Sequence, residues 1–373
     1  MKTKTISKKL FLVGFGCMMA FFSCEICVRV IAAVGIRPGY SVHDIVENTP
    51  KYVWSKYSAP LLSRKRSSFV FWGSLIDKPT KVKINHLGYR GNLVSSYTAK
   101  NKIRILYLGG SHVFDLAAPE NKDWPSLTRQ YLKTDVEILN AGVPGHKTQD
   151  NLAKFYLELH MWQPDIVVFC GAWNDIKYFA SISKQHSLLA SGIHHSLPSE
   201  PNKSGSTYNT LDYILGWSWA YAKVRQKYYE NILPKEDQKL QVLQKEFSPL
   251  GPDQYKLNLR MLYEACRAKN VQLFVVKQAR LADISNTASA RKKIHHYMAG
   301  LEHGTLCRAF DECDHRVDEL QQECTNIQVV NTAEISGQEK YFHDHIHTSS
   351  AGSEALAQLV AANIQRYLDK ASK

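Results

Sequence analysis

The stretch "YFHDHIHTSS", residues 341 to 350, sets three histidines and an aspartate within His343 to His347. Imidazoles at that density serve a metal site, a proton-transfer dyad or a polar loop, and these ten residues leave all three open. Asp344 and His347 stand in D-x-x-H spacing ahead of the helical pattern "GSEALAQLVAANIQRYL". At such a junction the carboxylate can curl onto one imidazole nitrogen, leaving the other aimed outward to take a proton. His343, Asp344, His345 and His347 could instead line a metal, since alternate residues of an extended segment share a face. Far upstream, Ser111 follows a glycine pair at the end of "IRILYLGG", where a sharp turn would leave its hydroxyl and its own amide at the mouth of a sheet. A serine in that position also serves as a helix cap. Gly145 in "NAGVPG" offers a bare backbone amide, and Asn174 in "GAWND" a side-chain amide. Both are the donors that an acyl-transfer oxyanion needs, and both residue types are also common in turns. His112, beside Ser111, reads as an added polar contact or a pocket wall.

These residues need a frame that gathers them. Five short apolar runs, Ile103 to Gly110, Val136 to Gly142, Asp165 to Gly171, Val271 to Lys277 and Asn326 to Asn331, have the length and β-branched content of strands. Helical spacing lies between them, as in Leu152, Phe155, Tyr156 and Leu159, which fall on one face. Strand and helix in alternation predict a parallel sheet covered on both faces, with ligands beyond the carboxyl ends of its strands. "GGSHVFD", "NAGVPGHKT" and "GAWND" directly follow the first three runs, and "FHDHIHTSSAG" follows the fifth at a short distance. Residues 176 to 250 interrupt the rhythm with a loop-like tract and an aromatic, lysine-rich helical pattern at 211 to 233. A helical insertion packing on the domain accounts for it, and a lid or membrane-contacting element is the rival reading.

The 373-residue chain carries 47 Lys and Arg against 34 Asp and Glu, a formal net charge of +13. The basic residues are spread rather than massed and no nucleic-acid motif accompanies them, so nucleic acid is not expected as a partner. Lys2, Lys4, Lys8 and Lys9 precede an uncharged run from Leu10 to Cys24 that continues apolar to Val34 apart from Glu25 and Arg29. With those two charges paired at i and i+4 near an outer interface, the run is long enough for a transmembrane signal anchor with a cytoplasmic N-terminus. The body then faces the periplasm or the cell exterior. A cleaved peptide, a lipoprotein signal at "FFSC" and a buried helix are the rival readings. Of eight cysteines, Cys307, Cys313 and Cys324 are close enough in sequence to contain a disulfide pair in an exported body, and their spacing does not suit a zinc ribbon. The expected division is 1–40 stub and anchor, 41–100 juxtamembrane linker and docking segment, and 101–373 catalytic domain with the insertion at about 176–250.

Taken in order, "GGSHVFD", "NAGVPG", "GAWND" and "DHIH" resemble the signature of the SGNH (GDSL) hydrolase superfamily, from Ile103 to the C-terminus. The resemblance implies a flavodoxin-like three-layer α/β/α sandwich with a five-stranded parallel sheet. It implies Ser111 as nucleophile and first oxyanion amide, Gly145 and Asn174 as the other oxyanion donors, His347 as general base and Asp344 as its orienter. No metal or organic cofactor is needed for that chemistry. Gly110 departs from the older signature, which has Asp there, and Asp115 stands where many relatives have Gly, so a carboxylate near the acyl pocket is expected to affect substrate choice. "NHLGYRG", Asn85 to Gly91, resembles a stretch of anchored relatives that work on acylated surface polysaccharides. The implied activity is an O-acetyl esterase on a glycan or small acylated substrate. A polysaccharide acetyltransferase or a lysophospholipase would use the same apparatus, and a non-catalytic glycan-binding scaffold is the reading from another class.

Overall fold

The computed structural model describes residues 2–33, 67–71, 80–84, 89–91, 101–157, 159–180, 218 and 243–371. For 67–71, 80–84 and parts of the first helix the description is of backbone alone. The chain divides into two units, Met1–Lys51 with Leu197–Leu240 and Tyr52–Ser196 with Gln241–Lys373. In the first, helix α1 spans Lys2–Ala33. Its described side chains include exposed Val13, Phe15, Met18, Met19, Phe22, Ile26 and Val30 and a buried Glu25, which accepts a 2.7 Å hydrogen bond from the Ser218 hydroxyl. The expected Glu25–Arg29 pair involves an Arg29 side chain that lies outside the described residues. Among the described residues no helix is long and apolar enough to cross a membrane.

In the second unit an antiparallel ribbon, β1 (Ser67–Phe71) and β2 (Thr80–Ile84), precedes the main sheet. That sheet comprises β3 (Ile103–Gly109), β4 (Val136–Asn140), β5 (Ile166–Cys170), β6 (Gln272–Val276) and β7 (Ile327–Val330). All four pairings are parallel and the spatial order is β4-β3-β5-β6-β7. Each strand lies inside one of the apolar runs read from the sequence. The central strand β5 reads IVVFC and is buried throughout, as a strand covered on both faces must be.

The strand order reverses direction between β3 and β5, and right-handed crossovers therefore send successive helices to opposite faces. Helix α3 (Trp124–Tyr131) packs with α10 (Ser350–Ala371) on one face. On the other, α4 (Thr148–Leu157), α6 (Leu250–Arg267) and α9 (His303–Glu323) pack together. Short helices α2 (Ser111–Phe114) and α5 (Trp173–Ile176) follow β3 and β5 directly, and α7 (Ala288–Lys292) and α8 (His296–Ala299) lie between β6 and α9. Asp123 starts α3 by accepting from the Ser126 amide, with Pro125 in the first turn.

The cysteines correct one expectation. Cys307 and Cys313 lie six residues apart on the single helix α9, and all five cysteines of this unit are buried free thiols. Six residues of α-helix rise about 9 Å, beyond the reach of a disulfide, and Cys324 at the end of the same helix is farther still. Burial also holds the Cys170 and Cys266 thiols in the protonated form, with pKa values pushed far above the ordinary thiol range.

The insertion expected at 176–250 is described only at its two ends and at Ser218; its aromatic helical pattern and the linker at 41–66 lie outside the described residues. Tyr89 and Arg90 of "NHLGYRG" are described and buried against the domain. Arg90 forms an antiparallel bridge with Asn140, at the open edge of β4.

Candidate active site

The serine sits where β3 ends. Gly110 is the last extended residue (φ −91°, ψ −151°), and α2 begins at Ser111, so the Ser111 amide points out of the first turn with no acceptor within its own helix. Gly110 is fixed by a neighbour: a β-carbon there would stand 2.4 Å from Nδ2 of Asn174 and 3.3 Å from the His146 carbonyl oxygen. The chain thus has glycine at 110 because the oxyanion-donor candidate occupies the space a side chain would fill. Asn174 is buried in α5, and its Nδ2 donates one hydrogen to the His146 carbonyl (2.9 Å), leaving the second hydrogen of that amide for another acceptor. One residue before His146, Gly145 adopts φ +86°, a conformation that favours glycine, inside the turn closed by the His146 amide on the Val143 carbonyl.

Helix α5 is held in place by Gln278, whose Oε1 accepts from the Ala172 and Trp173 amides at 2.6 and 2.7 Å. Nothing in the sequence around Gln278 marks it for that task; it is found only once β6 is seen to end beside β5.

Opposite the serine, the loop 341–349 is drawn tight by a bridge between Phe342 and Thr348 and by the His343 amide donating to the His347 carbonyl (2.8 Å). Within it the Asp344 carboxylate is buried. Its Oδ1 accepts from the Ile346 and His347 amides (2.9 and 2.8 Å), and its Oδ2 lies 2.7 Å from His347 Nδ1. A carboxylate only accepts, so Nδ1 carries the proton and donates. Nε2 of the same ring is then the acceptor, 2.8 Å from the Ser111 hydroxyl, which donates to it. Burial pushes the Asp344 carboxyl up, but the hydrogen bond and charge of His347, with His345 nearby, outweigh it and hold the group well below the usual carboxylate range. Asp344 is therefore an anion at neutral pH.

Asp115 does not line an acyl pocket. It closes α2 in a left-handed conformation (φ 58°), and its carboxylate turns inward to accept from the Trp124 amide (3.0 Å), the Ser353 hydroxyl (2.8 Å) and the Thr348 hydroxyl (3.3 Å). It ties the end of the serine's helix to the residue after His347 and to the start of α10. Burial raises its pKa to about 6, opposed by Arg90 and by the Ser353 hydrogen bond.

Arg90 braces the same turn from the outside. Its guanidinium donates to the carbonyls of Phe114, Asp115, Ala118 and Pro119 at 2.6–3.0 Å and lies 3.2 Å from the Asp123 carboxylate. The Asn140 side chain completes the brace by donating to Val113 O and to Asp123 Oδ2.

His112 is buried with its pKa lowered to about 4 by that burial, so it is a neutral ring whose Nε2–H donates to the Cys170 carbonyl (2.8 Å). It supports the end of β5 rather than taking a proton from Ser111. His343 contributes backbone to the loop, and His345 is buried with its ring 4.0 Å from that of Trp173.

The structure thus brings Ser111, His347 and Asp344 into one unbroken line of hydrogen bonds and sets Asn174 against Gly110. That arrangement can move a proton from a hydroxyl to a neutral imidazole and hold the resulting imidazolium against a carboxylate, the requirement for making serine a nucleophile.

Comparison of the sequence with protein-family models and with curated proteins gives no match. Comparison of the structure gives several similar folds, all distant. A GDSL-like lipase from Bacteroides thetaiotaomicron is 13% identical, with 75% of this chain and 93% of that one covered and a TM-score of 0.39. For an acetylxylan esterase from Geobacillus stearothermophilus the values are 13%, 71%, 95% and 0.42. A psychrotrophic esterase of a Pseudoalteromonas species is 11% identical over 71% of this chain and 98% of that one, with a TM-score of 0.40.

Proposed function

We propose that this chain is a serine-dependent carboxylic ester hydrolase of the SGNH type. The observation that carries the reading is the continuous relay from Asp344 through His347 to Ser111, with both hydrogen bonds under 3 Å. Ser111 Oγ attacks the ester carbonyl carbon while its proton passes to His347 Nε2. The carbonyl oxygen becomes the oxyanion, taken by the Ser111 and Gly145 amides and the remaining Asn174 hydrogen. The tetrahedral intermediate collapses as His347 returns the proton to the departing alcohol. Water then gives a proton to His347 as it attacks the acyl carbon, and His347 returns that proton to Ser111 Oγ as the second intermediate collapses and the acid leaves.

The physiological substrate we favour is an O-acetyl group on an exported polysaccharide, with the body held outside the cytoplasmic membrane by α1. The apolar side chains exposed along α1 and the lysines before them support the anchor. For the glycan, support comes from the sequence resemblance of "NHLGYRG" and from that placement.

Labelling by a fluorophosphonate probe and hydrolysis of p-nitrophenyl acetate test the enzyme. Both are expected for the wild type and neither for Ser111→Ala; a folded wild type inert to both overturns the reading. Acetate release from an acetylated glycan, with and without an acceptor sugar, then separates hydrolysis from transfer.

A further inference from the structure

His345 is the side chain the proposed reaction leaves without work. It is 2% exposed, and among the described residues neither ring nitrogen has a hydrogen-bond partner. A buried imidazole with two idle nitrogens gives up its solvation for nothing, which is costly unless something else binds there. Its surroundings supply that something. His295, half-buried in the segment between α7 and α8, lies with its ring 5.0 Å from the His345 ring. Nδ1 of His345 is 3.7 Å from Asp344 Oδ1, too far for a hydrogen bond. One donor atom from each of His295, His345 and Asp344 falls within 4.8 Å of the others.

Two imidazoles and a carboxylate form a donor set suited to a first-row divalent cation such as zinc, with a fourth position open to water. Bonds of about 2.0–2.1 Å in a tetrahedron bring such donors to roughly 3.3 Å from one another. The gathering motion falls on His295, the only one of the three with solvent around it. Its ring lies 5.7 Å from that of exposed Tyr297, on the open side of the group. The Asp344 charge favours a cation there, and the Lys177 charge, which also reaches His345, opposes it. That balance suits reversible binding rather than a permanent structural ion.

We propose that His295, His345 and Asp344 form a binding site for a divalent transition-metal ion, zinc or a chemically similar cation, whose occupation switches off the neighbouring hydrolytic relay. Binding itself rests on geometry alone; the inhibitory consequence rests on the hydrolase reading. Asp344 is the shared element. A cation drawing on its carboxylate competes with the His347 Nδ1–H bond at 2.7 Å, and the base loses the orientation that lets it accept from Ser111. The ion is an inhibitor here and takes no part in acyl transfer.

The test uses the full-length chain purified in a mild detergent and titrated with cobalt(II) as a visible probe. The wild type is expected to develop a saturable d–d absorption at one equivalent, displaced by zinc. His295→Gln, at a position outside the relay, should keep ester hydrolysis. It should weaken cobalt and zinc binding by more than the roughly 10–100-fold that loss of an outer hydrogen-bond partner causes. His345→Gln should do the same, with circular dichroism reporting whether that buried variant folds. Zinc should inhibit the wild type, a chelator should restore it, and His295→Gln should resist. No cobalt spectrum in the wild type, or wild-type affinity in His295→Gln, overturns the site. Binding without inhibition overturns the switch while leaving the site, and a cobalt spectrum in a protein inert to esters separates this inference from the hydrolase reading.

Discussion

Asp344 divides its two oxygens between different duties, and that division makes a severe prediction. Oδ1 accepts from two backbone amides, which an asparagine can satisfy only by placing its own carbonyl oxygen there. The amide NH2 of Asp344→Asn then faces His347 Nδ1 and forces the proton onto Nε2, the atom that must accept from Ser111. We expect kcat on p-nitrophenyl acetate to fall by about 10⁴, as for the equivalent change in a serine protease triad, with KM little altered. Steady-state kinetics of the variant beside wild type check it. Asn174→Ala removes the proposed oxyanion donor together with its hydrogen bond to the His146 carbonyl and should cost roughly 10²–10³-fold in kcat. Gly110 acts chiefly through the same atom, because its φ of −91° is not a glycine-specific conformation and the most severe clash of a β-carbon there is with Asn174 Nδ2 at 2.4 Å, ahead of the His146 carbonyl oxygen at 3.3 Å. Gly110→Ala should therefore lower kcat by displacing Asn174, and the double variant should be no slower than Asn174→Ala by itself. An additive loss in that cycle would mean that Gly110 has a separate role.

At the scale of elements, the strands are legible because each apolar run is too short for a helix and is bounded by turn residues, and the motifs fall at the strand ends because the topology is parallel. Ser111, Asp344, His347 and Asn174 were legible as chemistry because each stands in a short motif beside a strand end. What holds them was not. Asp115 looked like a pocket residue since sequence gives no direction to a side chain, and its left-handed backbone turns it inward to Ser353, 238 residues away. Arg90 stands in the stretch whose resemblance points to a substrate class, and the structure adds that it is a brace carrying four carbonyls and one carboxylate. Arg90→Ala leaves Asp123 buried and unpaired, so the unfolding free energy should drop by about 3–5 kcal/mol, read as a lower urea midpoint at unchanged slope. Arg90→Lys should rescue little of it, because a single ammonium cannot span a fork built for a guanidinium. Helix α4 carries the opposite kind of residue. Lys154 is buried over the Tyr89 ring (5.0 Å), with only a 3.5 Å contact to the Ala141 carbonyl, and burial lowers its pKa to about 7. Between that value and 10.5 the unfolded chain binds the extra proton, so stability rises with pH, and the cost of the buried charge is complete below the lower value. Lys154→Met should therefore stabilise the fold by about 1–3 kcal/mol, less the cation–π contact it loses, and thermal melts should show a larger gain at pH 6 than at pH 9.

At the scale of the whole molecule the question is how a chain of net charge +13 is placed in the cell. Helix α1 exposes Phe15, Met18, Met19, Phe22, Ile26 and Val30 along one broad face, and an apolar face of that kind must find lipid or protein to cover it. Its one described acidic group, Glu25, is already buried against Ser218, so the carboxylate that would most penalise insertion is hydrogen-bonded. With Lys2, Lys4, Lys8 and Lys9 ahead of the run, the proposed orientation leaves the N-terminus in the cytoplasm and exports the relay with the rest of the chain. In a bacterial host the full-length chain should stay in the membrane pellet through an alkaline carbonate wash. Alkaline phosphatase fused to its C-terminus should be active, because that reporter matures only outside the cytoplasm. Replacing the four lysines by glutamate should cut phosphatase activity while leaving the chain in the pellet, since those charges set direction and the apolar run sets insertion. Release by carbonate would remove the anchor from the proposal. An inactive phosphatase on a firmly bound chain would reverse its direction and place the hydrolase on the cytoplasmic side, where an exported polysaccharide could no longer be its substrate.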